Sequence, residues 1–408
     1  MTSDVSTLTV RNSRATAGKS APQRDFCARA QVAAAVAAEH AGAVDRDGRF
    51  PKEAIDAIRQ QRLLGVMIPT ELGGEGARAA DIVDICYILG GACASTAMIF
   101  AMHQVKIACL TRHCGGDPWQ RQLQRRIAGE QLLMASSTTE GVRGGDIRSS
   151  EAAIQTIGTG IALERNASVI SYGAYGDGIV TTARRSQDAA GNDQVLAVFL
   201  KQDYTLERTS VWNAFGMRGT CSDGYMLRAR GEAAQVLPEP YERIHGQTMV
   251  PCAHMFWSAS WAGIAAGAVQ RARAFVRKAA RASGGQMPPA AAHLTRARLQ
   301  LETLRGAIQS GVRSFEAHAS DPGKLNANEV QLAMTFLKVE ASELALTTVM
   351  SAMRCCGLAG YRIDGEFAMG RHLRDVLSAP IMINNDRILA NAEAGVLMSD
   401  PPMRLSQD

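Results

Sequence analysis

Hydrophobic positions fall into three blocks along the chain. Between residues 25 and 130 apolar side chains recur at helical spacing. Residues 30–41 are alanine-rich and favour a helix. Pro51-Lys52-Glu53 puts a proline in a first helical turn, ahead of Ala54, Ile55, Ile58 and Leu63. Ile68-Pro69 and Gly73-Gly74-Glu75-Gly76 then break the pattern, because proline lacks an amide hydrogen and glycine accepts positive φ. One long apolar helix is expected over 79–102. Its small-residue centre (Gly90, Gly91, Ala92, Ala94, Ser95) suits close approach of a neighbouring backbone. From about residue 133 to 240 the period shortens. Residues 168–172, 178–183 and 195–200 read as strands, with Gly191-Asn192-Asp193 as a turn. Beyond residue 250 helices return over 255–282, 289–317 and 326–356, and Gly357 stands at a C-cap position.

The order helix, strand, helix predicts a mostly α protein with a small β-domain. Its expected parts are a flexible tail (1–24), an N-terminal helical domain (25–132), a middle β-domain (133–240) and a C-terminal helical domain (241–408). The tail is rich in Ser, Thr and Arg and lacks the apolar core of a secretory signal. No apolar run reaches the roughly 20 residues of a membrane helix.

Composition narrows the function classes. A hydrophobic fraction of 46% and a charged fraction of 20% are ordinary for a globular enzyme. The net charge of +5 is scattered, which implies a solvated surface with mild attraction to anionic small molecules, and no motif suggests nucleic acid. The 9 cysteines are odd in number and show no paired ligand spacing, so reduced thiols are expected rather than disulfides or a metal site. A cytoplasmic protein acting on small molecules is the expectation.

Five segments carry a family resemblance. Residues 357–387 read GLAGYRIDGEFAMGRHLRDVLSAPIMINNDR, residues 63–76 LLGVMIPTELGGEG and residues 136–150 SSTTEGVRGGDIRSS. Residues 166–183 read NASVISYGAYGDGIVTTA and residues 215–222 FGMRGTCS. In this order they resemble the acyl-CoA dehydrogenase superfamily, over nearly the whole chain after the tail. The resemblance implies an N-terminal helical domain, a middle β-barrel-like domain and a C-terminal four-helix bundle. It also implies FAD as cofactor, with FMN if the chain is a monooxygenase, and a homodimer or homotetramer.

The cofactor residues it implies are Thr138 and Thr139 along the flavin ring, Gly144 and Gly145 near the phosphates, and Ser171 at the position of a ring-contacting threonine. Val169 stands where the family has a tryptophan, with Tyr172 or Tyr175 as candidate replacements. Arg281 matches an arginine that reaches FAD phosphates across a subunit boundary. Arg354, Gly357 and Gly360 match the segment holding the adenosine end from a neighbouring subunit. Asn385 stands at a flavin-side threonine, and Arg218 reads as structural.

The catalytic position departs from the family. The common dehydrogenases carry a base in a loop close to YEGT; counted from Arg374-Asp375, that glutamate falls on Ile383. An isoleucine cannot take a proton. Substitute candidates are Asp386, which otherwise caps the following helix, and His254, beside the alternative base position at Ala253. The first expectation is α,β-dehydrogenation of an acyl-CoA or acyl-carrier-protein thioester, with electron-transfer flavoprotein as partner. The alternative is a monooxygenase that uses reduced flavin and O2 to hydroxylate nitrogen, sulfur or aromatic carbon, fed by a flavin reductase. A non-catalytic flavin-binding partner subunit is the third.

Overall fold

The computed structural model describes residues 25–140 and 148–401. Its N-terminal helices are α1 (Phe26–Asp47), α2 (Lys52–Gln60), α3 (Ala79–Ala92), α4 (Ala94–His113) and α5 (Pro118–Glu130). The single helix expected over 79–102 is two. Cys93 is extended (φ −148°, ψ 114°), ending α3 and starting α4. The small-residue stripe explains why the chain turns there: a Cβ on Gly90 would lie 2.3 Å from the Ser260 carbonyl oxygen. Backbone therefore meets backbone between α3 and the first C-terminal helix, and no larger residue fits.

The middle strands are β1 (Met134–Ser137), β2 (Gln155–Ile157), β3 (Gly160–Ala167), β4 (Gly178–Arg184), β5 (Gln194–Leu200), β6 (Tyr204–Ser210) and β7 (Gly224–Glu232). They divide between two sheets, β1-β4-β5 and β2-β3-β7-β6, with β1 parallel to β4. The fully buried run of β5 suits a strand covered on both faces. Residues 168–172 are a loop rather than the expected strand. Tyr172 takes a left-handed conformation (φ 45°) that ends extended pairing. The loop instead docks on the 217–223 turn: the Ile170 amide donates to the Asp223 carbonyl (2.8 Å) and the Tyr172 amide to Thr220 (2.7 Å).

The C-terminal block begins with α6 (Tyr241–Ile244), passes a π-helical turn at His245–Met249 and enters α7 (Val250–Ala282). It continues through α8 (Ala291–His318), α9 (Pro322–Leu325), α10 (Asn328–Cys356) and α11 (Leu358–Tyr361), then α12 (Gly370–Val376), α13 (Ser378–Ile381) and α14 (Asn385–Leu397). Helix α7 starts earlier than its apolar period suggested because Pro251 lies in its first turn, where a missing amide hydrogen is harmless. Among the described residues no helix is long and apolar enough to cross a membrane.

The Arg374-Asp375 pair joins all three parts. Arg374 donates to Asp45 of α1, and the Asp375 carboxylate accepts the Met217 amide at 2.7 Å. Gly216 passes so close that a Cβ would sit 2.0 Å from the Arg374 carbonyl oxygen. Burial raises the Asp375 pKa to about 6, against the lowering pull of the Met217 amide. Arg218 donates to the Arg46 carbonyl (3.3 Å), so it serves the same joint.

Candidate active site

One set of implied site residues belongs to the β-domain. Thr138 and Thr139 follow β1, are half-buried, and their hydroxyls have no hydrogen-bond partner among the described residues. Glu140 anchors the loop behind them. It is 6% exposed, lies 3.2 Å from the guanidinium of Arg165 (1% exposed), and accepts the amides of Glu151 (2.6 Å) and Ala152 (3.1 Å). This buried pair and its amide bonds close the loop's two ends on each other. Gly144 and Gly145 lie outside the described residues.

Ser171 ends a chain of hydroxyls. Thr220 Oγ1 donates to the Met217 carbonyl (2.8 Å) and lies 2.8 Å from Ser222 Oγ. Ser222 Oγ in turn lies 2.8 Å from Ser171 Oγ, and either hydroxyl of each pair can donate. Half-buried Ser171 presents its hydroxyl at the end of this chain. Val169 is 36% exposed at the tryptophan position. Neither tyrosine replaces that ring: Tyr172 is fully buried and donates to the Met134 carbonyl (3.1 Å), and Tyr175 stacks on Phe50 at 4.2 Å.

A second set of implied residues lies on the loop from α12 to α14. Ile383 (φ 59°) and Asn384 (φ 57°, ψ 109°) are both left-handed. Asparagine tolerates this region, whereas a β-branched isoleucine there is strained by about 1–2 kcal/mol. Asn384, not Asp386, caps α14, since its side chain accepts the Asp386 amide at 3.0 Å. Asp386 itself is exposed in the first helical turn.

Two implied site residues are occupied elsewhere. Asn385 is buried, donates from Nδ2 to Ser342 Oγ (2.9 Å) and Glu343 Oε1 (2.9 Å), and accepts from Lys338 Nζ (2.6 Å). Both of its donors face α10, which leaves none for a cofactor. His254 is buried in α7 with Nδ1 2.8 Å from the Met334 carbonyl oxygen, and burial lowers its pKa to about 4. It is a packed, neutral ring.

The remaining implied residues lie at the ends of α7 and α10. Early contact of His254 with Met334 and later reach of Arg271 to the Glu366 carbonyl (2.9 Å) show that α7 and α10 run the same way. Their last turns carry exposed Arg281 and Arg354, next to exposed Gly357 and buried Gly360. Among the described residues no hydrogen bond or ion pair links this group to Thr138, Thr139 or Ser171. A surface cleft of ≈ 420 Å³ lies elsewhere, and its Arg29 and Glu75 already pair at 2.8 Å.

Sequence reasoning missed Lys338, Ser222 and the Glu140–Arg165 pair. Lys338 had one signal: it interrupts the buried stripe of Met334, Ala341 and Ala345 on α10. The hydroxyl chain had none, because it forms only when two distant loops meet.

Residues 23–130 match the family described as "Acyl-CoA dehydrogenase, N-terminal domain", and residues 254–391 match "Acyl-CoA dehydrogenase, C-terminal domain". The chain belongs to the acyl-CoA dehydrogenase superfamily. It is 25% identical over 334 residues to the "Probable FMNH2-dependent monooxygenase SfnC" of Pseudomonas putida, covering 77% of this chain and 82% of that protein. Its fold is similar to FMN-bound TdsC from Paenibacillus sp. A11-2, with TM-score 0.81, 17% identity, and 92% and 98% of the two chains covered. Butyryl-CoA dehydrogenase from Megasphaera elsdenii gives TM-score 0.76 at 17% identity, with the same coverage. The superfamily thus holds relatives of both reaction types. Within this acyl-CoA dehydrogenase fold, Ile383 occupies the loop between α12 and α14.

Proposed function

We propose that this chain is a flavin-dependent monooxygenase that uses reduced flavin and O2 on a small nitrogen-, sulfur- or aromatic-carbon-containing substrate. The observation that carries the reading is Ile383, held left-handed on the loop where a thioester dehydrogenase needs its base. Oxygenation needs no proton acceptor there. Bound reduced flavin supplies the electrons for O2 activation. The residues present fit such a ring: the hydroxyls of Thr138 and Thr139 have no hydrogen-bond partner among the described residues, and half-buried Ser171 adds a third hydroxyl. Ile383 and partly buried Met382 keep the loop before α14 apolar and exclude water.

In this reading Arg281, Arg354, Gly357 and Gly360 serve the cofactor of a second copy, whether FMN or the longer FAD. The exposed apolar side chains of Leu358 (78%), Tyr361 (73%) and Ile363 (94%) beside them support a homodimer or homotetramer. A flavin reductase would supply the reduced cofactor. A second reading, α,β-dehydrogenation of an acyl thioester with electron-transfer flavoprotein as acceptor, keeps one observation in its favour. Asp386 is an exposed carboxylate three residues beyond Ile383.

The test is oxygen uptake with reduced FMN or FAD against a panel of thioethers, sulfinates, amines and indoles. Substrate-dependent uptake with oxygenated product supports the proposal. Anaerobic bleaching of bound flavin by an acyl-CoA, with no oxygenation, would overturn it in favour of the second reading.

A further inference from the structure

Lys338 is fully buried among the apolar residues of α10, and its ammonium lies over the ring of Trp261, 5.7 Å from the centroid. A buried ammonium is unfavourable unless hydrogen-bonded, and this one has two partners. It donates to the Ala379 carbonyl at 3.1 Å and to Asn385 Oδ1 at 2.6 Å. Those acceptors bracket the strained loop: Ala379 lies in α13, Asn385 opens α14, and left-handed Ile383 and Asn384 stand between them. Asn385 is held from its other end by Ser342 and Glu343. The ionisable neighbours are Glu343 on α10 and neutral His254 on α7; α13 and α14 contribute only the carbonyl and the carboxamide. Burial lowers the lysine pKa to about 8, opposed by Glu343, so the side chain is a cation at neutral pH.

We propose that Lys338 is a positioning residue: its ammonium clamps both ends of the 379–385 loop and so holds Ile383 and Asn384 in their strained path. Methionine would fill the same space, but it cannot reach two buried acceptors with hydrogen. The clamp stands whichever reaction the site runs. Only its catalytic consequence rests on the monooxygenase reading.

The experiment uses the full-length protein and the variants Lys338→Met, Ile383→Gly and their combination, followed by amide hydrogen exchange and thermal melting. Lys338→Met is expected to speed exchange of amides 381–388 about tenfold or more, with amides in α7 and α8 unchanged. Ile383→Gly removes the strain that release of the loop would relieve, so Lys338→Met should lower the melting temperature more in that background. Uniform loosening of the whole bundle, or strictly additive melting shifts, would overturn the proposal. If Lys338→Met does not fold, Asn385→Ser takes its place. It removes one acceptor and leaves the Ala379 bond, so a smaller loop-local rise is expected, and no local rise overturns the clamp. Oxygen uptake adds the catalytic arm: Lys338→Met should lower kcat more than it changes KM, and an unchanged kcat beside a loosened loop overturns a positioning role. A wild-type protein inert in that assay would overturn the functional reading alone, leaving exchange and melting to decide the clamp.

Discussion

The two sets of loops that carry the implied site residues treat their polar groups in opposite ways. On the β-domain loops the hydroxyls of Thr138 and Thr139 have no hydrogen-bond partner among the described residues, and Ser171 pairs with the Ser222 hydroxyl. On the C-terminal loop the polar groups of Asn384 and Asn385 turn inward to the cap and to α10, while Ile381 is 74% exposed. The contrast shows where chemistry survives on this scaffold. A loop anchored behind itself, as Glu140 and Arg165 anchor theirs, can leave its front residues free. A loop held by its own side chains cannot.

Breaking the anchor should have the largest effect. Glu140→Gln leaves the Arg165 guanidinium buried without its carboxylate, and denaturant unfolding should show a loss of about 3–5 kcal/mol. A loss under about 1 kcal/mol would mean that the β-domain loop does not depend on the pair.

The joint between the three parts comes next. Asp375 binds its proton more tightly in the native state than in the unfolded chain, because its carboxyl lies at about 6 rather than 3.8. Stability should therefore fall as pH rises through that window, by about 3 kcal/mol in total. Asp375→Asn should flatten the slope, because a carboxamide oxygen still accepts the Met217 amide; unfolding free energies across pH 4–7 check it.

On the strained loop the sign reverses. Ile383→Gly should stabilise the protein by up to about 1 kcal/mol, since relief of the left-handed isoleucine outweighs the added freedom of glycine in the unfolded chain. Destabilisation would place the Ile383 side chain among the groups that hold the loop. The smallest effect is expected at Ser222→Ala. It removes the hydroxyl partner that holds Ser171, so flavin binding should weaken by up to about fivefold, measured by paired anaerobic and aerobic titrations.

The sequence made the architecture legible where periodicity ran long, as in α1, α7, α8 and α10. It failed where tertiary contact overrode local preference. Cys93 splits an apolar run because α7 needs backbone access to α3, and residues 168–172 are β-branched yet bound to the 217–223 turn. Motif order names Thr138, Thr139 and Ser171 as candidates, since each lies in a segment that resembles the family. The roles of Asn385 and Lys338 were hidden, since they arise from a contact 47 positions apart. The C-terminal motif also aligned Asn385 with a cofactor residue, but α10 turns its amide the other way.

In the proposed reading the β-domain hydroxyls hold a flavin while the loop around Ile383 supplies no base. Solvent exchange tests it without an electron acceptor or O2. The flavin-loaded protein is incubated anaerobically in D2O with a panel of acyl-CoA thioesters, and deuterium at the α-carbon is followed by NMR. The account predicts no enzyme-dependent incorporation with any thioester. Incorporation that vanishes in Asp386→Asn would contradict it and assign the missing base.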